Sequence, residues 1–414
     1  MQTNEILLFL DDPNALENIY QTKQSQFLTW LDEATDKYPE SETLRVWKAR
    51  LAYSKSLTAD KSETKIFYVI LIALFAGTLV KLHGLWFVNE DWYLKRFVSV
   101  IVIGSLISYF LSADSTLDKR IPILGVLLCI TVLILIPNTK DSQSIIMALL
   151  HMPYVMLSLL AFTFMHGNWQ SSHAKLLFVR YLGEMLIYAS IILLGGIVLT
   201  LLTYALFSLI HIRIEEWYMS YVVVYGLVAS PVVATYIYDV VLGRESRLAT
   251  IIANIFSPLV LITVCAYLLV IISQGKSPYS DRDFLITING LLLIVLAITV
   301  YSVAGKNSKD NNSQLLDGIN IGLVTVTLLI NIYALSAIVF RWAEYGVTPN
   351  RLAVAGANVL IFVHLLLILK DYIAHIRQQA TSQQLLNTVA NYLPLYSAWS
   401  ALMVIGLPLA FGFV

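Results

Sequence analysis

Arg341-Trp342-Ala343-Glu344-Tyr345-Gly346-Val347-Thr348-Pro349-Asn350-Arg351 is a short charged interruption between two long apolar runs, Leu315 to Phe340 and Leu352 to Leu369. A helix needs about 20 apolar residues to cross a bilayer. Runs of this kind on both sides of a turn therefore read as two membrane-crossing helices joined at a corner. The turn itself is written in its residues. Gly346 accepts the left-handed conformation that ends a helix, Thr348 has the hydroxyl that caps the next one, and Pro349 suits a first helical turn, where no N–H is needed. Arg341, Glu344, Tyr345 and Arg351 are not required for turning and are candidates for a further role. Arg341 and Glu344 stand three apart on one helical face while Arg351 begins the facing helix, so the Glu344 carboxylate is expected to be shared between the two arginines. The functional alternative is an anion or lipid-headgroup site with partly neutralised arginines.

The rest of the chain repeats this alternation. Apolar residues make up 58% of its 414 positions and charged ones 13%, a balance that excludes an ordinary soluble globular protein. Eleven apolar runs follow one another: Ile66 to Val88, Phe97 to Leu111, Ile121 to Ile136, Ile145 to Met165, Tyr181 to Ile210, Met219 to Leu242, Ala249 to Ile272, Phe284 to Ala304, Leu315 to Phe340, Leu352 to Leu369, and Tyr392 to Phe413. The second and third are short and suit a tilted or partly re-entrant hairpin. The expectation is an all-α polytopic transmembrane bundle of about 11 spans over residues 66–414, preceded by a small amphipathic helical region at 1–65. Lys and Arg favour cytoplasmic loops. With the amino terminus inside, 18 of them fall on the inner side and eight on the outer, leaving Lys81 within the first span. This places the amino terminus in the cytoplasm and the 341–351 corner outside.

Residues 1–65 hold 19 of the 54 acidic and basic side chains. Leu7, Leu8, Leu10, Leu16 and Tyr20, then Phe27, Leu28, Trp30 and Leu31, then Leu44, Val46, Trp47 and Leu51 are spaced as apolar faces of short helices. Asp11-Asp12-Pro13-Asn14 and Lys37-Tyr38-Pro39-Glu40-Ser41-Glu42 supply breaks and caps between them. This region packs as a small bundle or docks a cytoplasmic protein partner. No cleavable leader is evident, since Leu7 to Leu10 is too short an apolar core. No basic patch suggests nucleic acid. Cys129 and Cys265 lie inside apolar runs, where a thiol behaves as a small hydrophobe, so neither a disulfide framework nor a thiolate metal site is expected.

Ionisable and amide groups at membrane depth are costly and mark candidate sites. Asn320, Thr327 and Asn331 fall on one face of the ninth run, where they line a polar cavity or hydrogen-bond to a neighbouring helix. His364, Asp371 and His375 share a face in the tenth. Histidine and carboxylate there can relay protons or hold a divalent metal, but Asp371 and His375 lie past Leu369 and read as a solvated helix end. Gly318 and Gly322 are spaced for close helix approach. Pro231, Pro258 and Pro408 are expected to bend their helices. No cofactor motif, no His-Glu-x-x-His or paired-cysteine signature, no phosphate loop and no nucleophile elbow is present, and no inverted repeat is evident.

From about Ile252 onward a particular order of features resembles a known family. Pro258-Leu259 leads to Tyr267-Leu268, Arg282 and Asp283 precede an apolar run to Tyr301, and the ninth run ends in Glu344-Tyr345-Gly346-Val347-Thr348-Pro349-Asn350-Arg351. This is similar to the bacterial polytopic membrane family catalogued as domain of unknown function 4153, whose late loop has a Tyr-Gly-Leu-Thr-x-x-Arg core. Val347 stands where that family usually has leucine. The resemblance covers roughly the second half of the chain and implies a bacterial cytoplasmic (inner) membrane protein without an established activity. Three functions remain open on the sequence: a binder or transporter of a small molecule, lipid or ion; a membrane sensor or scaffold whose residues 1–65 dock a cytoplasmic partner; and an intramembrane enzyme, for which no catalytic motif speaks.

Overall fold

The computed structural model describes residues 5–10, 12–22, 24–85, 88–113, 118–139, 141–274, 282–306 and 313–414, and among them there is no strand. Lys140, Lys276 and Lys309, counted above as loop charges, lie outside the described residues. Two compact units are formed, Met1–Phe67 and Tyr68–Val414.

In the first unit a 3-10 turn, Glu5–Leu8, precedes α1 (Pro13–Thr22), α2 (Gln24–Lys37) and the beginning of α3 (Glu42–Leu85). The Asp12 carboxylate accepts the N–H groups of Asn14 and Ala15 at 3.0 and 3.1 Å, capping α1 with Pro13 at its first position. Leu16, Phe27, Trp30, Leu31, Leu44 and Trp47 are buried together, and the Phe27 and Trp47 rings stand 4.9 Å apart. Val46 is 65% exposed, because one step along a helix turns a side chain about 100° from its neighbour, here the buried Trp47.

The second unit comprises the end of α3, α4 (Glu90–Ala113), α5 (Arg120–Leu135), α6 (Gln143–Phe164), α7 (Ser172–Leu209), α8 (Glu215–Val241), α9 (Leu248–Gln274), α10 (Arg282–Ala304), α11 (Ser313–Tyr345), α12 (Pro349–Ile376) and α13 (Ser382–Ala410). Among the described residues ten helices are long and apolar enough to cross a membrane. This agrees with the expected bundle of about 11 spans; the run at Ile121 to Ile136 forms the shorter helix α5, whose 16 residues extend only about 24 Å. It is nonetheless a packed antiparallel neighbour of α4. Arg96, near the start of α4, donates to the carbonyls of Leu133, Ile136 and Pro137 at the end of α5, at 2.5, 2.9 and 3.0 Å. The second run is not short in the structure, since polar residues at its start continue the helix to 24 residues.

Two packed groups make up this unit. In the first, α4 to α8 close around Phe110, Phe164 and Tyr181, with the Phe164 and Tyr181 rings stacked at 5.0 Å. In the second, α9 to α12 close around Leu292, Val324, Leu328, Ala334 and Leu365. Leu176 and Val179 of α7 and Leu385 and Val389 of α13 pack with Val303, Ile368 and Tyr372, joining one group to the other. Close approach does not occur at the predicted glycines. A Cβ on Gly318 meets nothing, and one on Gly322 makes ordinary contact with Leu261; tight contacts lie elsewhere, among them Gly356, where a Cβ would run into the Trp399 ring. Pro231, inside α8, cannot donate to the Leu227 carbonyl, and the Ser230 hydroxyl does so instead at 3.0 Å. Widened π-turns at Tyr218–Val223 and Ile237–Val241 flank that segment.

Candidate functional site

The corner between α11 and α12 turns as its residues indicate. Gly346 has φ +74°, and the Thr348 hydroxyl accepts the Arg351 N–H at 3.4 Å with Pro349 following. The charge pairing, however, is not the expected one. The Arg351 guanidinium donates to the Tyr345 and Gly346 carbonyls at 3.1 and 2.8 Å and lies 5.7 Å from the Tyr345 ring centre. Glu344 is exposed and forms no ion pair with Arg351. The physical reason is proximity. Carbonyls at a helix end lack intrahelical partners and carry the negative end of the dipole, so a nearby guanidinium satisfies them without bringing a mobile carboxylate into place. Arg341 is half-buried on the same helix.

His364, Asp371 and His375 share a face of α12 but do not converge. His364 is fully buried; its ring stacks on Tyr392 at 4.4 Å, and Nδ1 is 3.1 Å from the Tyr396 hydroxyl. Asp371 is 6% exposed rather than solvated. Its carboxylate accepts hydrogen bonds from Thr388 and from Gln384, the latter at 3.3 Å. Packing of α13 over the end of α12 buries it, and the sequence of α12 alone could not report this. His375 bonds the Ala380 carbonyl at 3.1 Å. Among the described residues no group of three potential ligands could hold a metal ion.

The stripe on α11 becomes two interhelical clamps. Asn331 donates to the Asn358 carbonyl at 3.1 Å, and the Asn358 amide donates to Asn289 at 2.9 Å, tying α11, α12 and α10. The Asn331 Oδ1 is buried without a partner. Thr327 turns back onto its own helix, donating to the Leu323 carbonyl. Asn320 is the richer centre: it donates to Ser302 at 2.8 Å and to the Tyr372 hydroxyl at 3.3 Å, and accepts from Ser257. Ser302 donates onward to Asn254 at 2.9 Å. One amide thus joins α9, α10, α11 and α12 in a setting where each unmet polar group would cost several kcal/mol.

Sequence reasoning missed what lies beside it. Lys306, just past α10, meets Asp317 at 2.6 Å, with the two side chains only 10% and 3% exposed. The Lys306 ammonium also lies 4.9 Å from the Tyr372 ring centre. The contact falls outside hydrogen-bonding angles and is therefore an ion pair held by charge rather than by an aligned bond. Lys306 reads as a loop charge in the sequence. The available signal was Asp317, one turn before Asn320 on the same face of α11. Tyr372 connects the two parts, offering its face to Lys306 and its hydroxyl to Asn320.

Compared with known protein families, curated proteins and solved structures, the chain matches none. Fold and site together define a polytopic helical membrane protein with a buried, ionisable polar centre among α9 to α12. Its activity follows from no relative and has to be argued from that centre.

Proposed function

We propose that the chain is a membrane binder or carrier of a small ion or polar solute, with Lys306, Asp317, Asn320 and Tyr372 at its working centre. The observation that carries this reading is the Lys306–Asp317 pair, buried at 2.6 Å and continuous with the Asn320 network. A buried ion pair returns about as much energy as its desolvation costs, so apolar packing would stabilise the fold equally well. Ionisable groups kept in such surroundings mark ion or substrate paths. Asn320 and Tyr372 supply amide and hydroxyl groups that can exchange one another for a solute when the helices shift.

The test uses purified chain in liposomes, with proton, sodium and potassium gradients read by ion-sensitive dyes and by thermal stabilisation. Wild-type protein is expected to bind or move one of these ions and folded Asp317→Asn to lose that response. An unchanged response in Asp317→Asn overturns the reading. We further place the amino terminus in the cytoplasm of a bacterial cell, on the loop charges and the family resemblance. A reporter active only outside should then work after Val414 or within 341–351 and fail after Lys309; the reverse pattern inverts the topology.

A further inference from the structure

A cleft of about 470 Å³ opens where α6, α7 and the connection from α8 to α9 meet, lined among others by Phe164, Arg180, Tyr238, Arg244, Ser246 and Arg247. Of the three guanidiniums at this cleft, Arg244 meets a carboxylate. Arg244 Nε donates to Asp239 at 2.5 Å, and its guanidinium lies 5.4 Å from the Phe164 ring centre. Asp239 is also held by the Tyr109 hydroxyl at 2.7 Å, so this pair is a fixed wall.

Arg180 and Arg247 differ. The Arg180 guanidinium donates to the neutral Ala304 carbonyl through Nε and Nη2, which orients it without cancelling its charge. Arg247 is exposed and has no hydrogen-bond or ion-pair partner among the described residues. Both line the same cleft, where their like charges oppose each other. Neither nearby carboxylate forms an ion pair with Arg180 or Arg247. Glu184 is buried and engaged by the Ser246 hydroxyl at 2.6 Å and the Ala249 N–H at 2.8 Å, and Glu245, which also lines the cleft, is exposed and pairs with neither arginine.

The connection is shaped to hold this arrangement. Gly243 and Arg244 are successive left-handed residues, φ +57° and +63°, and the Arg244 N–H bonds back to the Tyr238 carbonyl at 2.9 Å. For arginine that conformation is uncommon and persists where surroundings impose it. The wrapped chain brings Arg247 to the cleft opened by Arg180, four residues before Glu184 on α7.

We propose that this cleft is a binding site for a phosphate-class anion, either a phospholipid headgroup or a soluble phosphate ester, bridged between Arg180 and Arg247. An anion placed there removes their mutual repulsion. Planar guanidiniums present paired N–H donors that match phosphate oxygens. Phe164 and Tyr238 leave an apolar wall for the organic part of the ligand, and the volume lies within the range of small-molecule sites. The cleft shares no lining residue with the Lys306–Asp317 centre.

Full-length protein in phosphatidylcholine nanodiscs tests the assignment in two arms, each read as thermal stabilisation. One arm titrates inorganic phosphate against chloride at equal ionic strength; the other adds phosphatidic acid to the disc. At least one should stabilise the wild type, and Arg247→Gln, which breaks no hydrogen bond or ion pair among the described residues, should weaken that ligand on the order of tenfold. Arg180→Gln should weaken it as well. A response to phosphatidic acid alone identifies a headgroup site, and a response to phosphate alone identifies a soluble ester. No response in either arm, or responses in Arg247→Gln equal to wild type, overturns the proposal.

Discussion

Asp317→Asn removes one charge from a pair whose partner cannot reach water. The Lys306 and Asp317 atoms are 2.6 Å apart with side chains 10% and 3% exposed. At an effective dielectric of about 20, unit charges at that distance attract by about 6 kcal/mol. Taking both ions out of water costs several kcal/mol each, so the intact pair is close to neutral in net terms. Breaking it is not, because a lone buried charge keeps the desolvation cost and loses the attraction, for about 3 to 5 kcal/mol. Lys306 retains the Tyr372 face at 4.9 Å, which offsets about 1 to 2 kcal/mol. Asp317→Asn is thus expected near the low end, about 3 kcal/mol, and Lys306→Met somewhat higher, because the carboxylate it strands has no aromatic face. Lys306→Met combined with Asp317→Leu should cost about 1 kcal/mol or less, since apolar residues can replace a buried pair. Equilibrium unfolding of wild type, Lys306→Met, Asp317→Leu and their combination in detergent by denaturant closes the cycle, with Asp317→Asn measured beside them. Single variants within about 0.5 kcal/mol of wild type, or a double variant equal to the sum of the singles, refute the argument that the charges are buried and paired.

Arg96→Met should destabilise the chain by about 3 kcal/mol or more in the same assay, because three carbonyls at the end of α5 lose a charged donor; Arg96→Lys should recover only part, as one ammonium cannot reproduce the planar fork. At the corner, Glu344→Gln should leave the melting temperature unchanged, whereas Arg351→Gln should cost about 1 kcal/mol through the Tyr345 and Gly346 carbonyls. Equal losses from both would restore the shared-carboxylate arrangement. Gly356→Ala should cost about 1 to 3 kcal/mol, since its Cβ would enter the Trp399 ring, and combination with Trp399→Leu should relieve it.

What the sequence determines by itself is whatever depends on neighbours along the chain. Long apolar runs dictate helices of membrane length, because no backbone group can go unpaired in hydrocarbon. Asp12-Pro13 caps α1, and Gly346, Thr348 and Pro349 close one helix and open the next, since these are properties of a few consecutive residues. The placement of Asn320 and Asn331 on one face of α11 was legible for the same reason. Tertiary structure alone decided what those faces meet. Asp371 reads as a solvated helix end until α13 covers it with Gln384 and Thr388, and Lys306 reads as a loop charge until α11 brings Asp317 to it. Arg180 and Arg247, 67 positions apart in the chain, face one cleft only because α8 ends in a wrapped turn that no periodicity announces. Helical pattern reports which residues share a face; burial and charge pairing depend on the helix packed against that face, and the partner is chosen by the whole bundle.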